Sequence, residues 1–326
     1  MSELIRTSNL KVYFQTREGL FRSKTVKAVD GVNINISRGE TLGLVGESGS
    51  GKTTLGRALV RLVELEDGEI VFDGKEITGL GRGDLKAFRQ RAQVVFQDPY
   101  SSISPFMTVR EIIEEPLRIH GVGSGEERYR SVLQALEQVK LSPAGEIAPR
   151  HPHNLSGGQR QRVCIARAMV LDPGFVIADE PVSMVDASNR TEILYLLRQL
   201  QQERQVSFLY ITHDIASARH FSDRIAVMYL GTIVETGVAD TVIGAPKHPY
   251  TVGLLEAVPE PDPENRKSMR SVIPGEPPNA ADVPSGCPFH PRCPEVIKGT
   301  CDATRPTLQK IDLNREVACH LFGGKN

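Results

Sequence analysis

Residues 41–53 have the sequence Thr-Leu-Gly-Leu-Val-Gly-Glu-Ser-Gly-Ser-Gly-Lys-Thr, an apolar segment followed by a glycine-rich loop. The part from Gly46 to Thr53 matches the pattern G-x-x-x-x-G-K-[ST] at every fixed position. Apolar residues with helical spacing follow at Leu55, Ala58 and Leu59. Glycines let backbone N–H groups face phosphate oxygens, and the N-terminus of the next helix adds a positive dipole end. We therefore predict a phosphate-binding loop between a strand and a helix.

The side chains of this loop have separate predicted roles. Lys52 is expected to reach the β- and γ-phosphates of a nucleotide, and the Thr53 hydroxyl to ligate Mg²⁺. The alternative, a glycine-rich turn with an unrelated lysine, is disfavoured by the complete motif in its strand–loop–helix setting. The predicted phosphate-binding residues are Gly46, Ser48, Gly49, Ser50, Gly51, Lys52, Thr53 and Thr54.

A second, acidic site is needed for the metal. Residues 175–180 have the sequence Phe-Val-Ile-Ala-Asp-Glu, an apolar strand that ends in two carboxylates. Such a pair is usually just the solvated end of a strand. It indicates a metal site only because the sequence also contains the phosphate loop. Because consecutive strand residues point to opposite sides, the two carboxylates have different predicted tasks. Asp179 is expected to hold the Mg²⁺ shell, and Glu180 to orient or deprotonate the attacking water.

The segment Leu155–Arg162, Leu-Ser-Gly-Gly-Gln-Arg-Gln-Arg, is more specific than the phosphate loop. It resembles the LSGGQ signature of the ABC ATPases. Three further stretches resemble motifs of that family and occur in the family's order. Gln97 resembles the Q-loop glutamine, Ser183–Asp186 the D-loop, and His213 the switch histidine. The resemblance covers residues 5–240.

The resemblance implies an α/β fold, namely an ABC-type P-loop ATPase domain. Its parts would be a RecA-like core, an antiparallel β subdomain and a helical subdomain. Strand patterns that alternate with helical patterns support a mostly parallel sheet, and Val32–Ile36 is one of the predicted early strands. Thirteen of the 21 prolines follow residue 245. We predict an ATPase domain over residues 1–245 and a small, loop-rich, proline-rich C-terminal extension over residues 246–326.

The signature segment also indicates a dimer. Its serine and glycines open a helix, and a helix N-terminus attracts anions. One ATP needs only one phosphate loop, so a second anion site suggests a second subunit, with ATP held between Lys52 of one chain and the signature serine of the other. The plain alternative is that Ser156 is only an N-cap serine. The predicted residues of this second face are Ser156, Gly157, Gly158, Gln159 and Asp186.

The resemblance assigns further roles around the nucleotide. Gln97 would reach the metal or the water, and His213 would contact the γ-phosphate and hold the water with Glu180. The alternatives are an exposed loop glutamine and a structural histidine. The predicted catalytic residues are Lys52, Gln97, Glu180 and His213.

An aromatic side chain before the phosphate loop stacks on adenine in this family. Phe14 is the best match, with the adjacent Tyr13 and Phe21 as rivals. The alternative for Phe14 is a core aromatic at a strand end.

Several stretches resemble one branch of the family, the ATP-binding subunits of dipeptide/oligopeptide ABC importers. They are Val45–Gly49, Phe96–Ser102, His248–Thr251 and, most specific, Ile273–Pro278 and Gly286–Pro294. This implies an ATPase that drives uptake from the cytoplasmic face of the membrane. The implied partners are a second ATPase chain, in a heterodimer or a homodimer, two membrane permease subunits and, indirectly, an extracellular substrate-binding protein. Peptides are the predicted cargo, and oligosaccharides or nickel remain alternatives because the partners select the substrate.

Other functions are less compatible with the sequence. A soluble ABC ATPase of translation or DNA repair would carry two cassettes or a long inserted coiled coil. A sensor with a vestigial ATP site would not need intact catalytic residues. The balance of 39 basic and 40 acidic residues gives no support for a nucleic-acid partner. With no apolar stretch of membrane-spanning length and no signal peptide, we expect a cytosolic chain that reaches the membrane through partners.

Four cysteines in the extension are spaced C-x5-C-x7-C-x17-C: Cys287, Cys293, Cys301 and Cys319. Structural disulfides are rare in cytosolic proteins, and the spacing fits neither the common zinc patterns nor the ferredoxin pattern. In the resembled branch this tail can hold a [4Fe–4S] cluster, which is our prediction. The alternatives are zinc, with His290 and His320 as spare ligands, and metal-free thiols.

Overall fold

The computed structural model describes residues 2–18, 22–258, 273–276 and 278–323. The contacts divide the chain into two compact units. The first consists of Met1–Ser2, Ser37–Thr41 and Gly79–Tyr210. The second consists of Glu3–Ile36, Leu42–Thr78 and Ile211–Asn326. These two units are defined by contacts and do not correspond to the predicted ATPase domain and C-terminal extension. The predicted boundary at residue 245 therefore stays a prediction.

The strands are β1 (Glu3–Glu18), β2 (Arg22–Val32), β3 (Asn35–Ser37), β4 (Thr41–Val45), β5 (Asp67–Phe72), β6 (Lys75–Glu76), β7 (Ala92–Val95), β8 (Phe175–Asp179), β9 (Ser207–Thr212), β10 (Arg224–Tyr229), β11 (Thr232–Val238), β12 (Gln309–Asp312) and β13 (Arg315–Val317). The helices are α1 (Lys52–Leu59), α2 (Arg82–Arg91), α3 (Val109–His120), α4 (Gly125–Gln138), α5 (Ala144–Ile147), α6 (Gly157–Met169), α7 (Ala187–Arg204), α8 (Ile215–Phe221), α9 (Ala239–Gly244) and α10 (Pro249–Glu256). Short 3₁₀ turns occur at Pro152–Asn154 and His290–Arg292. No helix of the described part of the chain is long and apolar enough to cross a membrane.

An antiparallel sheet in the second unit confirms the predicted β subdomain. Strand β1 pairs with β2 and β5, and β5 pairs with β6. The predicted strand Val32–Ile36 is wrong as one strand, because β2 ends at Val32 and β3 begins at Asn35. Between them the Asn33 side chain accepts a hydrogen bond from the Asn9 N–H (2.7 Å), and the Ile34 N–H donates to the Thr7 hydroxyl (3.0 Å). At this point these side-chain hydrogen bonds take the place of the backbone hydrogen bonds that would continue the strand.

The second unit also contains part of a mixed sheet, in the order β12-β13-β11-β10-β4. Strands β4 and β10 are parallel, with Leu44 opposite Ala226. Strand β11 pairs antiparallel with β10 and with β13. Although the extension was predicted to be loop-rich, its strands β12 and β13 therefore continue a sheet that begins with the strand before the phosphate loop.

In the first unit, β7 and β8 are parallel neighbours, and β8 is also hydrogen-bonded to β9. Every residue of β8 and β9 is buried, as in parallel sheets with both faces covered. Helices α3, α4 and α6 pack together as the helical subdomain. Helix α2 has no predicted counterpart, because within its fully described range only Phe88 is buried and the apolar periodicity is weak.

Candidate nucleotide site

The phosphate loop lies in the second unit, between the end of β4 at Val45 and the start of α1 at Lys52. Two of its glycines have no room for a side chain. A Cβ atom at Gly46 would overlap the backbone oxygen of Met228, and one at Gly51 would overlap that of Ala28. Gly51 also has a left-handed backbone, with φ of 105°. The close approach of neighbouring strands therefore determines the path of the loop, as the predicted strand–loop–helix order requires.

Lys52 lies inside this loop and is 6% exposed. Its Nζ donates hydrogen bonds to the carbonyl oxygens of Gly46 (2.7 Å) and Glu47 (2.8 Å) and approaches the Ser50 hydroxyl (3.4 Å). Gly51, the N-cap residue of α1, supplies no side-chain cap to the first turn. An ammonium group and the positive end of a helix thus occur together, which suits a phosphate group.

The acidic pair lies in the first unit. Asp179 ends β8 and is 6% exposed, and Glu180 follows with a left-handed backbone (φ 45°). This conformation is strained for a residue with a side chain, and such strain is concentrated at functional sites. The Gln97 Nε2 donates a hydrogen bond to the Glu180 Oε2 (2.9 Å). The Ser183 N–H and hydroxyl both donate to the Glu180 carbonyl oxygen (3.2 and 3.0 Å). The Q-loop and D-loop residues therefore converge on Glu180.

The signature residues occupy the start of α6, also in the first unit. The Ser156 hydroxyl accepts a hydrogen bond from the Gln159 N–H (3.3 Å), and the Gln159 side chain accepts one from the Ser156 N–H (3.0 Å). Ser156 is exposed, and Gly158 packs against Asn189. Ser156 is therefore an N-cap serine in this chain. That geometry also leaves the N-terminus of α6 with its serine at the surface, and an anion-binding role stays a prediction.

Two further candidates are exposed. His213 follows β9 directly and is exposed, which agrees with its predicted place at a strand end. Asp186 is exposed at the N-cap position of α7 and makes no side-chain cap bond. The loop and His213 belong to the second unit, and Gln97, Ser156, Asp179, Glu180 and Asp186 belong to the first.

The predicted adenine contact, Phe14, is on β1 and is 41% exposed. It is therefore not a core aromatic, and stacking on adenine remains its predicted role. The rival Tyr13 has its hydroxyl hydrogen-bonded to Asp30 (2.6 Å). Phe21 lies outside the described residues.

The proposed metal donors are the Thr53 hydroxyl, the Asp179 carboxylate and the Gln97 amide oxygen. Among the described residues, no group of three or more His, Cys, Asp or Glu side chains could hold a metal ion. Mg²⁺ at nucleotide sites takes hard oxygen ligands, few of them from protein carboxylates and the rest from phosphate and water. The donor chemistry present here fits that kind of site.

The four cysteines of the extension are free thiols. Burial is the largest cause that raises the pKa of Cys287 to about 11, and the charges of Cys301, Cys319 and Cys293 act in the same direction. The Cys287 N–H donates to the Cys301 carbonyl oxygen (2.7 Å). The thiols are therefore near enough to affect one another, but in the described part of the chain they form no group that could hold a metal. The predicted [4Fe–4S] cluster thus gains no support from the structure.

Glu47 of the phosphate loop makes contacts with Tyr250 and Arg292, and none of these three residues had a predicted individual role. The Glu47 N–H donates to the Tyr250 hydroxyl (2.8 Å), and the Glu47 carboxylate forms an ion pair with Arg292 (2.9 Å). These contacts join positions 203 and 245 residues apart. No local pattern could have revealed them.

Known proteins resemble this chain over almost its full length. It matches the family described as ABC transporter over residues 29–183 and the oligopeptide/dipeptide transporter C-terminal region over residues 234–301. The putative oligopeptide transport ATP-binding protein YkfD of Bacillus subtilis is 46% identical over 98% of this chain and 95% of that protein. The oligopeptide transport ATP-binding protein AppF of Bacillus subtilis is 44% identical, with 98% and 97% covered.

Solved structures agree with these relatives. The post-hydrolysis dimer of the ATP-binding cassette MJ0796 bound to ADP and phosphate has a TM-score of 0.65 and 31% identity, covering 72% of this chain and 99% of that one. The structure of cbiO1 from Clostridium perfringens has a TM-score of 0.65 and 26% identity, covering 78% and 96%. The fold and the site together define a P-loop ATPase of the ABC type. More narrowly, the chain belongs to the family of ABC transporter ATP-binding proteins that carry the oligopeptide/dipeptide C-terminal region.

Proposed function

We propose that this chain is the ATP-hydrolysing subunit of an ABC importer for di- and oligopeptides, acting at the cytoplasmic face of the membrane. The observation that carries the proposal is the 46% identity, over 98% of the chain, to the relative named putative oligopeptide transport ATP-binding protein YkfD. The match over residues 234–301 supports the same branch, because that region belongs to oligopeptide/dipeptide transporters.

Nucleotide binding is assigned to the second unit. Lys52, with its ammonium already held at the centre of the loop, neutralises the charge of the β- and γ-phosphates. The backbone N–H groups of the loop and the N-terminus of α1 contribute further positive potential. Phe14 stacks on the adenine from β1.

Hydrolysis is assigned to the groups that converge on Glu180. Its carboxylate accepts the proton of the attacking water, whose oxygen forms the new bond to the γ-phosphorus while ADP leaves. Gln97 holds the carboxylate oxygen by its hydrogen bond, and His213 holds the water and the γ-phosphate. Thr53, Asp179 and Gln97 would hold Mg²⁺, which when bound would neutralise charge on the β- and γ-phosphates.

Two cassettes close on ATP in this proposal. Ser156 and the following glycines contact the γ-phosphate held by the facing chain, with Asp186 at the same face. The dimeric state of the cassette MJ0796 supports this arrangement for a chain of the same fold. The partner is a second ATPase chain in a heterodimer, and a homodimer is the alternative outcome.

The remaining partners are two membrane permease subunits and, through them, an extracellular substrate-binding protein. Permease docking is assigned to residues 97–120 of the first unit. Large apolar side chains are exposed there, namely Tyr100 (55%), Phe106 (89%) and Ile119 (56%). We infer that a permease subunit covers these side chains, which would remove their apolar surface from water.

The test is to tag the chain, solubilise native membranes in mild detergent and identify the proteins that co-purify. Two permease chains and a second ATPase would support the proposal, and a peptide-binding protein would support the substrate class. A sugar-binding or nickel-binding protein would favour those cargoes. A ribosome, a repair complex or no membrane partner would favour a soluble ABC ATPase and contradict the importer.

The [4Fe–4S] cluster is a separate hypothesis about the extension. It is tested by measuring iron, acid-labile sulfide and zinc in protein purified without oxygen. Four iron and four sulfide per chain, lost in a Cys293→Ser variant, would support it. Zinc alone or no metal would support one of the two alternatives.

A further inference from the structure

Glu47, the second residue of the phosphate loop, is held at three points. Its N–H donates to the Tyr250 hydroxyl (2.8 Å). Its two carboxylate oxygens accept from Nη1 and Nη2 of Arg292 (2.9 and 3.1 Å). Its carbonyl oxygen accepts from Nζ of Lys52 (2.8 Å). One residue therefore connects the C-terminal extension to the lysine of the phosphate loop.

Arg292 is well anchored for this contact. Its side chain is 6% exposed, and that of Glu47 is 26% exposed. Besides the two bonds to Glu47, its Nε donates to the Pro274 carbonyl oxygen (3.1 Å) and its Nη1 approaches the Tyr229 hydroxyl (3.5 Å). A bidentate arginine–carboxylate pair constrains both position and orientation, which a single hydrogen bond does not.

A cluster of buried aromatic rings supports the same segment. Phe289, three residues before Arg292, is 1% exposed. Its ring centre lies 5.3 Å from that of Tyr229 and 5.4 Å from that of Tyr250, and the two tyrosine rings are 4.6 Å apart. Tyr250 and Arg292, which hydrogen-bond to Glu47, are thus held in place by aromatic packing as well as by hydrogen bonds.

We propose that Arg292 and Tyr250 are positioning residues of the nucleotide site. Through them the C-terminal extension holds the phosphate loop in the conformation that binds ATP. The proposal rests on the assignment of ATP to this loop. Tyr250 and Arg292 determine where the Glu47 backbone lies, and the Glu47 carbonyl oxygen is one of the two that hold the Lys52 ammonium.

Arg292 has a second, electrostatic effect. Glu47 places a negative charge in a loop that must accept a triphosphate, and like charges repel. The guanidinium group compensates that charge at hydrogen-bond distance. Without Arg292, the uncompensated carboxylate would oppose phosphate binding. A change of Glu47 to glutamine would remove the charge and relieve part of the effect.

The experiment uses the full-length chain and measures the Kd of a fluorescent ATP analogue together with the thermal midpoint. For Arg292→Leu we expect the Kd to rise about tenfold, which corresponds to about 1.4 kcal/mol. Arg292→Lys should fall between this variant and the wild type, because lysine restores the charge without the bidentate geometry. The double variant Arg292→Leu/Glu47→Gln should bind more tightly than Arg292→Leu alone.

Arg128→Leu is the matched control. Arg128 is a half-buried arginine that pairs with the Glu114 carboxylate (3.0 Å) and donates to the Gly123 carbonyl oxygen (2.7 Å) in the helical subdomain of the first unit. It should lower the thermal midpoint and leave the Kd within about twofold of the wild type. Equal Kd values for Arg292→Leu and Arg128→Leu would overturn the proposal, because Arg292 would then only stabilise the fold.

Two further variants keep the outcome decisive. Tyr250→Phe removes only the hydroxyl from a buried ring, so it tests the contact even if Arg292→Leu fails to fold. We expect its Kd to rise about threefold, and a wild-type Kd would contradict the proposed role of Tyr250. Lys52→Ala tests the ATP site itself. If Lys52→Ala binds the analogue normally, the ATP assignment fails. If it does not bind while Arg292→Leu binds normally, only the positioning role fails.

Discussion

The side-chain amide of Gln97 donates a hydrogen bond to the carboxylate of Glu180, with 2.9 Å between Nε2 and Oε2. The two residues are 83 positions apart in sequence, and they belong to the Q-loop and to the end of the acidic strand. Ser183 of the D-loop holds the Glu180 carbonyl oxygen at the same time. Glu180, in its left-handed backbone conformation, is therefore the residue on which three motifs of the first unit converge.

Glu180→Gln should abolish most ATP hydrolysis and leave ATP binding intact. Glutamine keeps the shape of the side chain but cannot accept the proton of the water, a contribution of about 10²–10⁴ in rate. With ATP and Mg²⁺, the variant should accumulate as a closed dimer, measured by size-exclusion chromatography with light scattering. Glu192→Gln, at an exposed carboxylate paired with Arg162, is the control and should behave like the wild type. Unchanged turnover in Glu180→Gln would refute the assigned role.

Gln97→Ala should lower kcat and change KM little. The variant removes the hydrogen bond that orients the Glu180 carboxylate, and loss of one orienting bond predicts a decrease of about tenfold. Steady-state ATPase assays on the purified complex measure both constants. Gln93→Ala, which removes a side-chain bond to the Arg89 carbonyl oxygen, controls for general effects. A large rise in KM with normal kcat would leave Gln97 only its proposed role as a Mg²⁺ ligand and contradict its role in orienting Glu180.

Ser156→Ala should separate the N-cap role of Ser156 from its signature role. Loss of a capping serine costs about 1 kcal/mol of stability on its own. Ser124 caps α4 with the same reciprocal geometry, in a segment without signature residues, so Ser124→Ala is a closely matched control. Both variants should lose similar thermal stability, but only Ser156→Ala should lose ATP-dependent dimerisation. If Ser156→Ala and Ser124→Ala dimerise equally well with ATP, Ser156 acts only as an N-cap residue and the signature role is contradicted.

His248 should make the stability of the chain depend on pH. It is 1% exposed, and its Nδ1 accepts a hydrogen bond from the Tyr250 N–H (3.1 Å). Burial lowers its pKa to about 3, from an ordinary value of 6.5. Between these values the unfolded chain binds a proton that the folded chain does not, so stability is complete above pH 6.5. It should fall below that pH by up to about 1.4 kcal/mol per pH unit.

Urea unfolding of the wild type and of His248→Asn between pH 5 and pH 8 measures this effect. Asparagine can accept the same hydrogen bond and does not titrate. The Glu235 carboxylate, whose pKa burial raises, accepts from the His248 N–H (2.9 Å) and contributes an opposite slope to both proteins. The difference between the two curves therefore isolates His248. Parallel curves would contradict the prediction.

The parts of the site that follow from local sequence were predictable. The strand, loop and helix around Lys52 follow from glycine geometry and apolar spacing, and the structure has them in that order. The start of α6 follows from the Ser156–Gln159 capping pair in the same way. Such features depend on neighbours in sequence, and the physical rules for them are strong.

Features that depend on distant parts of the chain were not predictable. The bond between Arg292 and Glu47 requires the extension to return to the phosphate loop across 245 positions. Strand β12 has no buried residue because it forms the edge of the sheet, and β13 has only three residues, too few for its alternation to be distinctive. The break between β2 and β3 depends on hydrogen bonds from the Asn9 N–H to the Asn33 side chain and from the Ile34 N–H to the Thr7 hydroxyl. Each of these features depends on tertiary contacts, which the sequence of a single segment does not reveal.

Peptide uptake by the purified complex is the direct test of the importer function. The complex captured through this chain is placed in proteoliposomes with ATP on the side of the ATPase chains and the binding protein on the other side. We expect ATP-dependent accumulation of a labelled tripeptide with the wild-type chain and none with Glu180→Gln. Uptake that is the same for both chains, or ATP hydrolysis with no peptide movement, would contradict it.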